Sequence, residues 1–360
     1  MLKKILFIAY SLCATYVHSD PLKDTSSNEN KAIWLHSQFV NLLPINSTKA
    51  YSLIQRARTL ILSNKQELNL QLNIDLEDWY KNTGRFDSAL KLGYRNLSTA
   101  SMIHCDSLEL TSSLHLAISY SKKGIHDSAI KYCLRSLKMS ERTENKKGKI
   151  LSLYFLGTVH QTVGNSEKAL RYFTQAHNQA RENKDSYLIA YTYDGLAFYY
   201  FEAREYTRSE ELYKSSLKIY SSLNKKIDQA RCYLNLGSCE DAIGNKESSV
   251  TYYQRSLVIF RELRADNDVL LCYLNLGATY GNMKKYMLAL ENYFKAETYA
   301  KNLNTGDNLA SVYENIATVS KQMGNYKMAL EYKEKYHLLS DSILNFAKIK
   351  YISELETKYQ

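Results

Sequence analysis

The sequence predicts an all-α solenoid of stacked helical hairpins, and three observations carry that prediction. Its 360 residues include 2 prolines and 13 glycines, too little punctuation for a strand-rich fold or for long linkers. A bulky aliphatic residue followed by a small one recurs every 40 positions. Within each period, apolar residues fall at spacings of three and four, the pattern of amphipathic helices. A hydrophobic fraction of 45% supports a packed core and excludes a disordered chain. Collagen, disulfide-knot and multi-span membrane classes fail on composition as well.

The chain opens with Lys3 and Lys4, the apolar stretch Ile5 to Val17, and then His18-Ser19-Asp20. A short basic region, an apolar segment too short to span a bilayer and permissive residues before the cleavage point describe a secretory signal peptide over residues 1–19. Leu12 is too bulky to precede a lipoprotein cysteine at Cys13. The expected setting is therefore periplasmic or secreted. The 47 Lys and Arg exceed the 37 Asp and Glu by ten, and cleavage would remove two of the lysines. Cys105, Cys133, Cys232, Cys239 and Cys272 would remain. Their odd number, irregular spacing and lack of a CxxC pair indicate neither a disulfide framework nor a zinc site, but small buried hydrophobes.

The repeat is read from aligned pairs. Leu116-Ala117, Leu156-Gly157, Leu196-Ala197, Leu236-Gly237, Leu276-Gly277 and Ile316-Ala317 keep one register, and one step earlier stands Leu76-Glu77, where the small residue is lost. Twelve positions after each comes a second small residue: Ala89, Ala129, Ala169, Ser209, Ser249, Ala289 and Ala329. Between them lies a turn position held by Gly84, Gly124, Gly164, Gly244 and Gly324, with Arg204 and Lys284 as exceptions. Each period reads as two helices. In the fifth, Asp228 to Ile243 is closed by Gly244-Asn245, and Lys246 to Leu263 follows. Gly237 and Ser249 sit where the paired helices cross, and Tyr253, with Phe173, Tyr213 and Tyr293 at its register, is expected to fill the larger gaps. One hairpin cannot cover its own apolar face, so neighbours must stack.

These positions resemble the tetratricopeptide repeat, most closely in Leu276-Gly277, Tyr280, Tyr286, Ala289, Tyr293 and Ala296. The resemblance implies a right-handed superhelix of seven repeats over residues 70–336, with capping helices over 20–69 and a capping or coiled-coil-like helix over 337–360. The departures are a period of 40 residues rather than roughly 34, no terminal proline in any repeat, and Glu240 and Ser320 where tyrosine is usual. Ala32 to Leu62, with Pro44 at its turn and Ala50 and Ala57 as small positions, reads as an irregular leading repeat. From Leu339 the residues Ile343, Phe346, Ile349, Ile352, Leu355 and Tyr359 form one stripe on a long helix. That segment is similar to the stretch closing periplasmic repeat regions in Bacteroidota sensor kinases and helix-turn-helix regulators. Whether the chain is a receptor ectodomain or a complete secreted protein stays open.

No HExxH, Walker lysine loop, GxSxG or GxGxxG is present. His160 and His126 occupy packing positions, and the carboxylates fall in helical surface patterns that predict solvation. The sequence thus offers no catalytic, metal or cofactor site. The candidate site is the concave face that the resemblance assigns to the first helix of each repeat. Asn235, Asn275 and Asn315 each precede the aliphatic-small pair, and an asparagine presents both a donor and an acceptor to a peptide backbone. Asp75, His115, Phe155 and Gly195 hold that register upstream, so the ladder ends there. Phe198 and Phe201, three residues apart, are expected to face the groove as anchors, with Arg231, Asp194 and Lys321 supplying charge. The expected partner is a protein or peptide segment, bound by an exported scaffold or sensor. The alternative is a cytoplasmic peptide-responsive regulator of a transcription factor or phosphorelay. Dispersed basic residues argue against nucleic acid, and any membrane attachment would come through a C-terminal extension or a partner.

Overall fold

The computed structural model describes residues 27–43, 47–61, 65–303 and 305–359, and among them places sixteen helices and no strand. In chain order they are α1 (Asn28–Leu42), α2 (Ser47–Leu60), α3 (Gln66–Asn82), α4 (Phe86–Met102), α5 (Asp106–Lys122), α6 (His126–Arg142), α7 (Lys146–Thr162) and α8 (Ser166–Glu182). Then come α9 (Ser186–Glu202), α10 (Tyr206–Ser222), α11 (Lys226–Ile243), α12 (Lys246–Glu262), α13 (Asp266–Asn282), α14 (Tyr286–Asn302), α15 (Gly306–Gln322) and α16 (Tyr326–Tyr359). The signal segment 1–19 and Pro44 lie outside the described residues.

Two compact units divide the chain, one reaching Asp228 and the other starting at Gln229. In the first, α1 to α10 pair as consecutive hairpins, each second helix packing on the next first helix. In the second, α13 with α14 and α15 with α16 do the same, and α12 packs on α13. Most of these helices have 17 residues, about 25 Å at 1.5 Å per residue.

The hairpin turns explain the glycine pattern. Gly84, Gly124, Gly164, Gly244 and Gly324 all adopt positive φ, and Arg204 (φ 64°) and Lys284 (φ 59°) adopt it without being glycine. At Gly164 the chain closes the helix by Asn165 N–H donating to His160 O at 2.8 Å and Gly164 N–H to Gln161 O at 3.1 Å. The connections between hairpins use the same left-handed residue, yet carry His104, Glu144, Lys184, Asn224 and Arg264 there. No glycine marks them, so the sequence shows only polar joins. Several first helices gain a start signal downstream: Asn145 and Asp185 accept from Gly148 N–H (2.8 Å) and Leu188 N–H (3.0 Å).

Packing follows a small-against-aromatic rule. A Cβ at Gly237 would stand 2.6 Å from the Tyr253 ring, and one at Gly277 would stand 2.6 Å from Tyr293. The glycine is therefore the space the aromatic fills. Phe173, Tyr213, Tyr253 and Tyr293 are all buried, as their register predicts. The first repeat exchanges the two sizes. Glu77 takes the small position, Gly93 takes the aromatic one, and a Cβ at Gly93 would lie 2.8 Å from the Glu77 carboxylate.

Ala32, Ala50 and Ala57 pack with Phe39, Ile54, Leu76 and Trp79 in the core of the leading hairpin. Cys133, Cys232, Cys239 and Cys272 are buried as expected, and Cys105 is partly so. The last helix differs from the expectation of a separate segment after residue 336. The second helix of the final hairpin runs on unbroken as α16, 34 residues long. The side chains from Phe346 onward, and that of Ile343, lie outside the described ones.

Candidate functional site

Asn235, Asn275 and Asn315 stand on α11, α13 and α15, all in the second unit and all one residue before the aliphatic-small pair. That pair must face the hairpin partner, because Gly237 and Gly277 touch Tyr253 and Tyr293. The asparagine, two residues before that glycine, is rotated from it by about 200° on the helix. Asn235 is 5% exposed, whereas Asn275 and Asn315 are half-buried.

Polar bonds hold the first of these helices in place. The Asp241 carboxylate accepts from Lys246 Nζ at 2.9 Å and from Thr279 Oγ1 at 3.0 Å, tying α11 to α12 and α13. Lys246 also donates to Asp241 O at 2.6 Å, and Asn245 Nδ2 donates to Glu240 Oε2 at 2.8 Å. Arg231, one turn before Asn235, is buried together with Asp268 of α13. Burial pushes the Asp268 carboxyl above its usual range while the Arg231 charge pulls it down. At the far end Lys321 is exposed, and Glu314 meets Lys333 Nζ at 3.5 Å.

The remaining predicted residues fall in the first unit. Asp194 accepts from Tyr220 OH at 2.9 Å, which gives it a structural partner within its own hairpin. Phe198 is half-buried. Phe201 departs from the expected groove position. It is buried edge-on against Tyr206, ring centroids 5.3 Å apart, because it lies at the last turn of α9 where the hairpin folds back.

The expectation that every carboxylate is solvated is also overturned. Asp75, at the asparagine register of the first repeat, is buried and meets His36 Nε2 of α1 at 2.8 Å. One turn on, Asp78 lies 2.5 Å from Lys81 Nζ and 3.3 Å from His115 Nδ1 of α5. Burial holds His115 neutral, its pKa lowered to about 4. Glu77 is fully buried between these groups, accepting from Asn96 Nδ2 at 3.2 Å and Ser119 Oγ at 3.4 Å. Burial raises its carboxyl to about 8 despite the Lys81 charge. The sequence signal was available: Asp75 and His115 stand where Asn235 stands, 160 and 120 residues earlier.

Hydrogen-bonding side chains at a constant position on stacked helical hairpins raise the question of kinship. The family model for the tetratricopeptide repeat matches residues 108–182 and 188–262. The chain carries tetratricopeptide repeats. Among solved structures, this repeat protein is similar to the apo form of the quorum sensor NprR from B. thuringiensis, with 15% identity and a TM-score of 0.62, over 87% of each chain. A Rap protein complexed with Competence and Sporulation Factor matches with 14% identity and a TM-score of 0.56, over 88% of this chain and 99% of that one. BtubC from P. vanneervenii matches with 21% identity and a TM-score of 0.56, over 61% of this chain and 92% of that one. Likeness at such identities is likeness of fold. No curated protein matches the sequence.

Proposed function

We propose that this repeat protein is a binding scaffold or sensor that takes an extended protein or peptide segment along the first helices of its later repeats. One observation carries the reading: asparagine recurs at one register on α11, α13 and α15. An extended chain exposes a donor and an acceptor at every residue, and an asparagine side chain answers both. Rows of amides therefore suit main chain. The role is binding, with no catalytic step assigned to any residue.

The test uses a phage-displayed library of random peptides selected on the wild-type chain. Selected peptides are then measured by fluorescence anisotropy against the Asn235→Ala/Asn275→Ala/Asn315→Ala variant, whose fold is checked by circular dichroism. Three lost hydrogen bonds, each of about 0.5–1.5 kcal/mol, should weaken binding by roughly tenfold or more. Equal affinity would remove the asparagines from the mechanism.

The setting we propose is the exported one, supported by the basic-then-apolar start of the sequence. A cytosolic peptide-responsive regulator is the second reading. It is favoured by the fold likeness to a Rap protein solved with Competence and Sporulation Factor and to the quorum sensor NprR. The mass of the mature N-terminus separates them: a start at Asp20 supports export, and a start at Met1 in a cytosolic fraction supports the regulator.

A further inference from the structure

The last two hairpin turns differ in charge from the five before them. At the register running from position 81 to 90, each of the first five 40-residue repeats carries an acid: Asp87, Asp127, Glu167, Glu202 with Glu205 and Glu210, and Asp241 with Glu247. The windows 281–290 and 321–330 carry none, and hold Lys284, Lys285, Lys321 and Lys327 instead. All four lysines are exposed, and among the described residues none forms an ion pair. The acids that follow these turns, Glu291 and Glu331, are held by Lys295 and Lys335 at 2.6 Å each, and Lys327 also acts on Glu331.

Large apolar groups stand among these charges. Met287 is 71% exposed and Tyr326 is 70% exposed, although each lies in the first turn of a second helix. Their register neighbours in the preceding repeat, Glu247 and Tyr286, are polar or half-buried. Because α13, α14, α15 and α16 alternate in direction as packed neighbours, the two turns lie on the same edge of the second unit. They are one repeat step apart, on the order of 10 Å per packed helix. Four exposed cations outside any ion pair, around two projecting side chains, one of them tyrosine, match a surface that is anionic outside and apolar just beneath.

We propose that this edge docks on an anionic lipid surface, with Lys284, Lys285, Lys321 and Lys327 against the headgroups and Met287 and Tyr326 inserted between them. The contact is peripheral: among the described residues no helix is long and apolar enough to cross a membrane. Unlike attachment through an extension or a partner, it belongs to the repeats themselves, and it is independent of the peptide-binding reading.

Flotation of the full-length protein with vesicles tests it, comparing phosphatidylcholine alone with a phosphatidylcholine–phosphatidylglycerol mixture. The wild type should float with the mixed vesicles at about 0.1 M salt and be released near 1 M. Each lysine at the surface contributes roughly fivefold. Lys284→Glu/Lys285→Glu should therefore lose at least about 25-fold, whereas Lys225→Glu/Lys226→Glu, an equal change of net charge elsewhere, should lose far less. Met287→Ser/Tyr326→Ser should weaken binding at low salt without altering its salt dependence. Circular dichroism confirms that each variant is folded. Equal loss from both lysine pairs, no loss from either, or retention on duplex DNA without vesicle binding would overturn the proposal.

Discussion

Replacing Glu77 by glutamine should abolish a loss of stability that the wild type suffers as pH rises from weakly acidic to weakly basic. The carboxyl is fully buried and its pKa is raised from 4.5 to about 8, chiefly by burial, with Lys81 opposing and Asp78 reinforcing. Between those values the folded chain keeps the proton and the unfolded chain releases it. Stability therefore falls as pH rises through that window and levels off above it. At about 1.36 kcal/mol per pH unit the full loss is on the order of 5 kcal/mol. Glutamine has the same shape and no charge. Its carbonyl can accept from Asn96 as the carboxyl does, and its amide can replace the bond to Ser119 with the donor reversed, because a hydroxyl also accepts. The assay is urea unfolding followed by tryptophan fluorescence at several pH values from 5 to 9. Trp34 and Trp79 both lie in or beside this first repeat, so the signal reports locally even where a repeat array does not unfold in one step. The two proteins should match near pH 5, and the variant should be several kcal/mol more stable at pH 8. The His36–Asp75 pair and His115 titrate in both proteins and cancel in the difference. A variant that is weaker by a constant amount at every pH would refute the reasoning, because it would mean that Glu77 is already ionised and stabilised by Lys81.

Two further outcomes follow from the hairpin geometry. Arg204→Gly places glycine at a φ of 64°; relief of left-handed strain, less the added freedom of the unfolded chain, should stabilise by about 0.5–1 kcal/mol, and a fall in the thermal midpoint would contradict it. Gly277→Val puts branched carbon where even a Cβ would lie 2.6 Å from Tyr293, and denaturant titration should show a loss of about 3 kcal/mol; a neutral result would mean that the ring has room to withdraw.

The architecture was legible because one constraint, small against aromatic, repeats at fixed spacing. The predicted helix Asp228 to Ile243 is observed as Lys226–Ile243, and Lys246 to Leu263 as Lys246–Glu262. The turn glycines announced one kind of connection. The other kind was hidden, because His104, Glu144, Lys184, Asn224 and Arg264 accept positive φ without any compositional mark. The absence of a break after residue 336 was hidden for a related reason: a change in apolar register does not stop a helix when no glycine or proline follows.

The polar residues were harder to read, and the first repeat shows why. A register rule tells which positions are near neighbours, not what occupies them when two change together. Leu76-Glu77 looks like a decayed motif when the pair is taken alone, and Gly93 looks like a lost aromatic. Taken together they are an exchange of volume, with the glycine leaving the space that the glutamate side chain enters. That space comes from an aromatic, so it is apolar and closed, and a carboxyl placed there must keep its proton or find donors. Asn96 and Ser119 supply them. The same logic covers Asp75, whose register is half-open at Asn275 and Asn315 but is closed here by His36 of α1. A helical surface pattern predicts solvation only while nothing stacks on that surface. Where another helix does, the polar position becomes buried, acquires a partner and shifts its titration, so the first helices hold structural pairs at one register and ligand-facing candidates at its repeats.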